Sequence, residues 1–190
     1  MGDDFEALEA VKRGEENGLR ELMERHREAV FRFALRYTGN HADAVEIAEE
    51  TFVRVYFNAL RFRPNGQVKT WIFSIAANLC RDYYRKIRRR GGERSLDAAD
   101  GEEEGAPLAE RVADPRPGVS VEVEDREAVR SIEAAIHGLA DKLRFPFIYC
   151  VLEGNSYEAC AAILGCSIKT VDSRIYRARG KLRVALGIAN

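Results

Sequence analysis

The chain has 190 residues, of which 32% are charged, and its 31 acidic and 30 basic residues leave a formal net charge of -1. No apolar run approaches the roughly 20 residues that a membrane-spanning helix needs, and the start, MGDDFEALEAVKRG, is acidic where a secretory signal would be basic and then apolar. We therefore predict a cytoplasmic protein without membrane insertion, built as one large or two small domains.

The near-zero net charge conceals blocks of charge along the chain. Residues 1–60 carry 13 acidic and 8 basic residues, whereas residues 61–96 carry 10 basic and 2 acidic ones. Residues 97–130 are acidic, with 11 acidic and 4 basic residues, and residues 131–190 carry 8 basic against 5 acidic ones. Two basic blocks separated by an acidic block suit contact with a polyanion at two places.

Apolar residues that recur at spacings of three, four or seven predict three helices in the first half of the chain. These helices run over residues 19–37, 41–55 and 70–90. Gly39 is a suitable stop for the first helix, and Asn40 is a suitable N-cap for the second. The loop RFRPNGQ, which separates the second helix from the third, is rich in turn-forming residues.

The third helix is followed by a segment that shows no sustained periodicity and contains the acidic run GEEEG. This composition predicts an acidic, flexible linker over residues 93–122. Beyond it, EAVRSIEAAIHGLA, DKLRFPFIYCVLEG and YEACAAIL each have the pattern of a helix, and Ser167 can cap a last one. No segment alternates as a strand would, so the predicted fold class is all-α, with helical domains over residues 1–92 and 123–190.

The last predicted helix lies within CSIKTVDSRIYRARGKLR, which contains six Lys or Arg residues. On a wheel of about 100° per residue, Val171, Ile175 and Leu182 form the inner stripe, while Ser173 and Arg177 lie on the opposite side. A short helix joined to a longer one through GCS is the arrangement of a helix-turn-helix, whose second helix enters the major groove of DNA. The alternative is a solvated face on a helical hairpin.

Four cysteines, Cys80, Cys150, Cys160 and Cys166, form no CxxC pair and have only three histidines to accompany them. Each lies beside apolar residues at helical spacing, so we predict small buried hydrophobic side chains in a reducing compartment. A zinc site or a disulfide is the alternative. No Cys-His-acid arrangement is visible, and we expect no catalytic residue, metal or cofactor.

Two regions of the chain resemble one family in the order that the family has them. SYEACAAILGCSIKTVDSRIYRARGKLR resembles the carboxy-terminal helix-turn-helix of bacterial sigma factors of the extracytoplasmic-function (ECF) group. DAVEIAEETF and TWIFSIAANLCRD resemble the second domain of the same group. The resemblance implies a non-enzymatic, dissociable subunit that directs RNA polymerase to minus-35 and minus-ten promoter elements and helps to melt the second. It also implies two partners, core polymerase, through its β′ clamp helices and its β flap, and promoter DNA.

The resemblance assigns candidate residues to three surfaces. An acidic surface on the second long helix would bind the basic β′ clamp helices, and its candidates are Asp43, Glu46, Glu49 and Glu50. The loop before Trp71 and the helix after it would hold a flipped base and phosphates of the minus-ten element, and the candidates are Phe62, Arg63, Asn65, Lys69, Ser74, Asn78, Arg81 and Arg85. The last helix would read the minus-35 element, and its candidates are Lys169, Thr170, Asp172, Ser173, Arg174, Tyr176, Arg177 and Arg179.

The sequence departs from the family pattern at three of these positions. Glu49 stands where Gln is usual, Ser74 where Arg is common, and Asp172 where Lys or Arg is common. Asp172 has two explanations, an ion pair with Lys169 three residues earlier or acceptance of a hydrogen bond from a cytosine amino group. Trp71 is expected to be a core residue more often than a base contact.

Other readings stay open at the level of sequence. In a stand-alone helix-turn-helix regulator, the first half of the chain would be a dimerisation or effector domain, and the protein would bind a palindromic site without polymerase. A metal-dependent or thiol enzyme would use the cysteines. The family commonly pairs with an anti-sigma factor that covers both DNA-binding domains, and its linker threads toward the active centre of polymerase.

Overall fold

The structure, a computed structural model, describes residues 3–63, 66–91 and 120–188, with side chains over 3–63, 66–87 and 127–188. Its helices are α1 (Asp3–Lys12), α2 (Glu16–Thr38), α3 (His41–Asn58), α4 (Val68–Gly91), α5 (Ser120–His137), α6 (Asp141–Pro146), α7 (Tyr157–Leu164) and α8 (Ile168–Ala185). A 3-10 turn, Ala59–Arg61, follows α3, and a π-helical segment, Phe147–Leu152, follows α6. The described residues contain no strand, which confirms the all-α fold. No helix in these ranges is long and apolar enough to cross a bilayer.

The predicted linker over residues 93–122 lies outside the described residues except for its last three. Those three residues already belong to α5, which begins at Ser120. The predicted turn residue Asn65 also lies outside the described residues.

The junction between α2 and α3 forms as its residue types predict. Gly39 takes the left-handed conformation, with φ of 70°, and its N–H donates to the carbonyl oxygen of Leu35. The side chain of Asn40 accepts a hydrogen bond from the N–H of Asp43 at 3.1 Å. The two hydrogen bonds reduce the number of unpaired backbone groups at the junction. Gly39 bonds a carbonyl group in the last turn of α2, and Asn40 bonds an N–H group in the first turn of α3.

Helix α1 was not predicted from the sequence. Three acidic residues occupy its first turn and Lys12 its last, a distribution that complements the helix dipole. Leu8 and Val11 are buried against α2. The close approach requires Gly18, because a β-carbon there would lie 2.5 Å from the carbonyl oxygen of Ala7.

The second domain contains the predicted caps and one irregular element. The hydroxyl oxygens of Ser156 and Ser167 accept hydrogen bonds from the N–H groups of Ala159 and Thr170, each at 3.1 Å, so α7 and α8 are capped. Pro146 ends α6, where it removes one backbone donor, and the chain continues as the π-helical segment.

The core joins the two domains rather than dividing at the linker. Phe33 and Phe73 from the first domain and Phe145 and Tyr149 from the second belong to one continuous cluster of buried side chains. The four cysteines have free thiols, and Cys80, Cys150 and Cys160 are buried. Burial raises the pKa of the Cys80 thiol, so this group behaves as a small hydrophobic side chain. The described residues, which include all four cysteines, bring together no group of three or more metal-ligating side chains.

Candidate nucleic-acid interface

Helix α4 gathers four of the predicted minus-ten residues on one stripe. Ser74, Asn78, Arg81 and Arg85 follow one another at helical spacing, so their side chains emerge from neighbouring turns. Asn78 and Arg85 are exposed, and Arg81 donates to the side-chain oxygen of Asn78 at 3.1 Å. The stripe therefore carries an amide and two guanidinium groups, which are donors suited to phosphates and to base edges, whereas the hydroxyl of Ser74 donates to the carbonyl oxygen of Trp71 at 2.7 Å.

The loop before α4 is only in part the surface that the sequence predicted. Arg63 and Lys69 are exposed, but Phe62 is only 6% exposed and packs against Trp71 with ring centroids 5.3 Å apart. Phe62 therefore packs on the core in this arrangement, and its predicted place in a base pocket stays a prediction. The 3-10 turn Ala59–Arg61 immediately precedes it. Trp71 is half-buried, as expected of a residue that packs on the core.

Helix α8 presents the face that the wheel predicted. Val171, Ile175 and Leu182 are buried, while Tyr176 is 79% exposed and Arg177 is exposed on the outer side. Lys169, Asp172 and Arg179 are exposed, whereas Thr170, Ser173 and Arg174 are half-buried. The hydroxyl of Thr170 contacts that of Ser167 at 2.9 Å, so it is engaged in the cap. The outer side of α8 thus presents the phenol of Tyr176 and basic side chains, and it does not pack against the core.

Arg174 lies close enough to Arg81 of α4 and Asp141 of α6 for its charge to act on both. Burial lowers the pKa of Arg81 and raises the pKa of Asp141, and the positive charge of Arg174 adds to the first shift and opposes the second. The predicted role of Arg174 in reading the minus-35 element remains a prediction. Its position places a predicted minus-35 residue close to a predicted minus-ten residue.

The acidic face of α3 divides into free and engaged carboxylates. Glu46 and Glu49 are exposed, and among the described residues neither has an ion-pair partner within 4.0 Å. Glu50 pairs with Arg54 at 2.7 Å. Asp43 accepts a hydrogen bond from the hydroxyl of Tyr83 at 2.6 Å, and burial raises the pKa of that hydroxyl, with the hydrogen bond to Asp43 adding to the rise. Glu46 and Glu49 are therefore the carboxylates most available to a basic partner.

Comparison with known proteins decides the family. Residues 22–90 match sigma-70 region 2, and residues 130–182 match sigma-70 region 4. The chain is 31% identical over 182 residues to the ECF RNA polymerase sigma factor SigW of Bacillus subtilis, an alignment that covers 94% of each chain.

The chain belongs to the ECF sigma factors of RNA polymerase. Another relative, the ECF RNA polymerase sigma factor SigE of Mycolicibacterium smegmatis, is 34% identical over 163 residues, which cover 86% of this chain and 59% of that longer one. The sigma factor RpoE in its complex with the anti-sigma factor NepR, from Bartonella quintana, has the same fold. The TM-score is 0.61 at 23% identity, over 90% of this chain and 98% of that one.

The family fixes the kind of function, since sigma factors are not enzymes but direct RNA polymerase to promoters. The sigma factor described by this structure therefore has core polymerase and promoter DNA as its partners, as the resemblance implied. A stand-alone regulator is not favoured, because the first half of the chain matches sigma-70 region 2. A stand-alone regulator would not use that half to bind polymerase.

Sequence reasoning missed a set of residues at the contact between the two domains of the sigma factor. Arg144 is only 7% exposed, and its guanidinium lies 4.2 Å from the centroid of the Tyr84 ring. The hydroxyl of Tyr84 contacts Nδ1 of His137 at 3.0 Å. Arg36 donates to the carbonyl oxygen of Leu152 at 2.9 Å and also pairs with Glu153. No sequence motif marks these residues. In the sequence, an isolated charged residue beside apolar ones looks like the end of a helix, so it does not indicate a contact between domains.

Proposed function

We propose that this sigma factor reads two promoter elements with two separate helices. In this proposal α8 enters the major groove at the minus-35 element, and α4 with the loop before it holds the minus-ten element. The observation that carries the proposal is the pair of solvent-facing donor surfaces, one on each helix, on the two family regions that match. It would act in the cytoplasm, where RNA polymerase works.

Tyr176 and Arg177 are the side chains best placed to reach base edges at the minus-35 element. Both are exposed on the outer side of α8, and a guanidinium can donate two hydrogen bonds to a guanine. Lys169 and Arg179 flank them and suit the phosphates on either side of the groove. These phosphate contacts would make binding strongly dependent on salt.

Contact with core polymerase is assigned to the exposed carboxylates of α3. Glu46 and Glu49 offer a negative face to the basic β′ clamp helices, and such complementary charge favours fast, oriented association. An anti-sigma factor is a further proposed partner. Its support is the shared fold with a sigma factor whose structure contains one.

The test is transcription in vitro with core polymerase, the purified chain and fragmented genomic DNA. Promoter-dependent initiation is expected only when chain and polymerase are both present, and sequencing the bound DNA should recover two elements about 25 base pairs apart. Absence of promoter-dependent transcription on every template would overturn the proposal. Tight binding of the chain alone to a palindromic site would favour the stand-alone regulator instead.

A further inference from the structure

The loop that precedes α4 is anchored at both of its described ends. Phe62, at its start, is 6% exposed, and the centroid of its ring lies 5.3 Å from that of Trp71. Val68, where α4 begins, is 4% exposed. Arg63 and Gln67, which lie between these ends, are exposed. The path of the loop therefore depends on how firmly its two buried ends are held.

Lys12, the last residue of α1, lies over the ring of Phe62. Its Nζ is 5.7 Å from the ring centroid, and the same group donates to Oε1 of Glu9 at 2.7 Å. The side chain of Lys12 is only 18% exposed, so its ammonium group is largely withdrawn from water. A cation in this position is attracted to the negative face of an aromatic ring, and more strongly when it is desolvated. Phe62 is thus held by α4 through Trp71 and by α1 through Lys12.

The placement of α1 does not depend on Lys12. At the opposite end of the helix, Asp4 contacts Nε2 of His26 at 2.7 Å and accepts a hydrogen bond from Arg25 at 3.2 Å. Leu8 and Val11 are buried along the helix, which also packs on the 3-10 turn before Phe62. Removing the ammonium group of Lys12 leaves all of these contacts in place. Its effect on Phe62 can therefore be tested without removing the helix.

The neighbouring cation, Arg13, is placed differently. Its side chain is 59% exposed, compared with 18% for Lys12, and it pairs with Glu15 in the turn after α1. A polyanion that approached this end of α1 would meet Arg13 before Lys12. The environment of Lys12 therefore suits a contact within the protein better than a contact with a phosphate.

We propose that Lys12 is a positioning residue for the minus-ten element, because its ammonium group holds the ring of Phe62 and thereby the start of the loop. The inference rests on the proposed function, which assigns that loop to the minus-ten element. A loop that is already ordered spends less of its binding free energy on ordering when it receives an unpaired base. Lys12 provides this order from outside residues 22–90, which match sigma-70 region 2.

The experiment compares three variants of the full chain in complex with core polymerase. Lys12→Met keeps an unbranched side chain of similar length and removes the cation, whereas Lys12→Arg keeps a cation that can lie on the ring. Arg13→Met is the matched control, because it removes the same charge from the adjacent residue, which does not lie over Phe62. The rate of promoter opening is followed with a fluorescent base analogue in the minus-ten element. Sequencing of DNA bound by each holoenzyme gives the base preference at every position.

Lys12→Met is expected to slow promoter opening about two- to fivefold, the loss that corresponds to one cation–π contact. The base preference should weaken within the minus-ten element and stay unchanged in the minus-35 element. The dependence of DNA binding on salt should also stay unchanged, because no phosphate contact is lost. Lys12→Arg and Arg13→Met should keep the opening rate and the minus-ten preference of the wild-type chain. Circular dichroism verifies that each variant keeps its helices.

Three results would count against Lys12 as a positioning residue. The first is a folded Lys12→Met that opens promoters and selects minus-ten bases as the wild-type chain does. The second is an equal loss of preference in both promoter elements, which would indicate a general structural role. The third is a weaker dependence of binding on salt, which would indicate a direct phosphate contact. If Lys12→Met does not fold, Lys12→Gln takes its place with the same expected direction. Failure of the wild-type chain to open any promoter would instead contradict the proposed function.

Discussion

At the scale of the residue, Asp172 is a proposed base contact that can be tested. Asp172 and Lys169 are both exposed on α8, and no ion pair within 4.0 Å joins them in the part of the chain that has described side chains. Acceptance of a hydrogen bond from a cytosine amino group in the groove stays a prediction. In the family pattern Lys or Arg at this position would donate to a base that accepts, such as guanine, because neither side chain can accept a hydrogen bond.

Replacing Asp172 by Ala should therefore relax the base preference at one minus-35 position. At that position the preferred base should lose about 1–3 kcal/mol of its binding advantage over the other bases, and the preference at every other position should not change. Sequencing DNA selected by the holoenzyme measures it. Lys181→Ala, which removes an exposed charge from the same helix, should weaken all sequences alike. A preference that is unchanged at every position would remove Asp172 from the readout.

His137 makes a second residue-scale prediction, on pH. The hydroxyl of Tyr84 donates to the carbonyl oxygen of Tyr37 at 2.9 Å, so its 3.0 Å contact with His137 requires the proton on Nδ1 and leaves Nε2 to titrate. Burial, together with the nearby charge of Arg144, lowers the pKa of His137 to about 4. In the unfolded chain the pKa of His137 is about 6.5, so between about pH 6.5 and pH 4 the unfolded chain binds a proton that the folded chain does not bind.

The contribution of His137 to the free energy of unfolding should thus be complete above about pH 7 and decline as the pH falls from 6.5 toward 4. The loss relative to pH 8 is expected to reach up to about 2 kcal/mol at pH 5. Urea unfolding of the wild-type chain and of His137→Gln between pH 5 and pH 8 isolates the contribution of His137 to the free energy of unfolding, since the variant has no titrating ring at this position. Parallel pH profiles of the two chains would contradict the assignment.

At the scale of the element, the face of α3 predicts how polymerase binding depends on salt. Replacing Glu46 and Glu49 by Gln keeps the side-chain size and removes two exposed carboxylates of α3 that have no ion-pair partner among the described residues. Association with core polymerase should slow about tenfold at low ionic strength and should become less sensitive to salt. Stopped-flow measurements at several salt concentrations provide the rate. Glu21→Gln, on α2, should behave as wild type, and equal salt dependence of all three chains would exclude this face.

The elements themselves show how far the sequence can be read. The helices α2, α3, α4, α7 and α8 follow from apolar periodicity, and their ends from local chemistry, since Gly39, Asn40, Ser156 and Ser167 form the caps that their residue types favour. Helix α1 escaped prediction although its buried residues Leu8 and Val11 have helical spacing. The position of Phe62 depends on the turn Ala59–Arg61, whose geometry the loop composition does not specify.

At the scale of the whole molecule, the sequence indicates two domains but not their contact. An apolar stripe shows that a helix face is covered, but not which element covers it. Phe73, for example, fits the interior of its own domain as well as it fits the packing against Tyr149 that the structure shows. A charged residue such as Arg144 becomes informative only when the carbonyl groups that it satisfies are known, here those of His137 and Leu139.

Because the two domains share a core, they should unfold together, and Gly39 tests this. A methyl group at Gly39 would lie 2.7 Å from Nε2 of His137, whose ring cannot swing away without leaving Tyr84. Gly14 is the matched control, since it has the same left-handed conformation, with φ of 79°, and open space around it. Alanine at either position costs about 1–2 kcal/mol in backbone strain.

Only Gly39→Ala should disturb the domain contact, at a further cost of about 1–3 kcal/mol for the overpacked side chain. Calorimetry of Gly14→Ala should therefore show one transition at a lower temperature, with calorimetric and van't Hoff enthalpies that agree. Gly39→Ala should also show one transition, because the shared aromatic core still couples the domains, but at a lower temperature than Gly14→Ala. A single transition with equal loss of stability in both variants would mean that the interface tolerates the methyl group, and that the contact at His137 does not couple the domains.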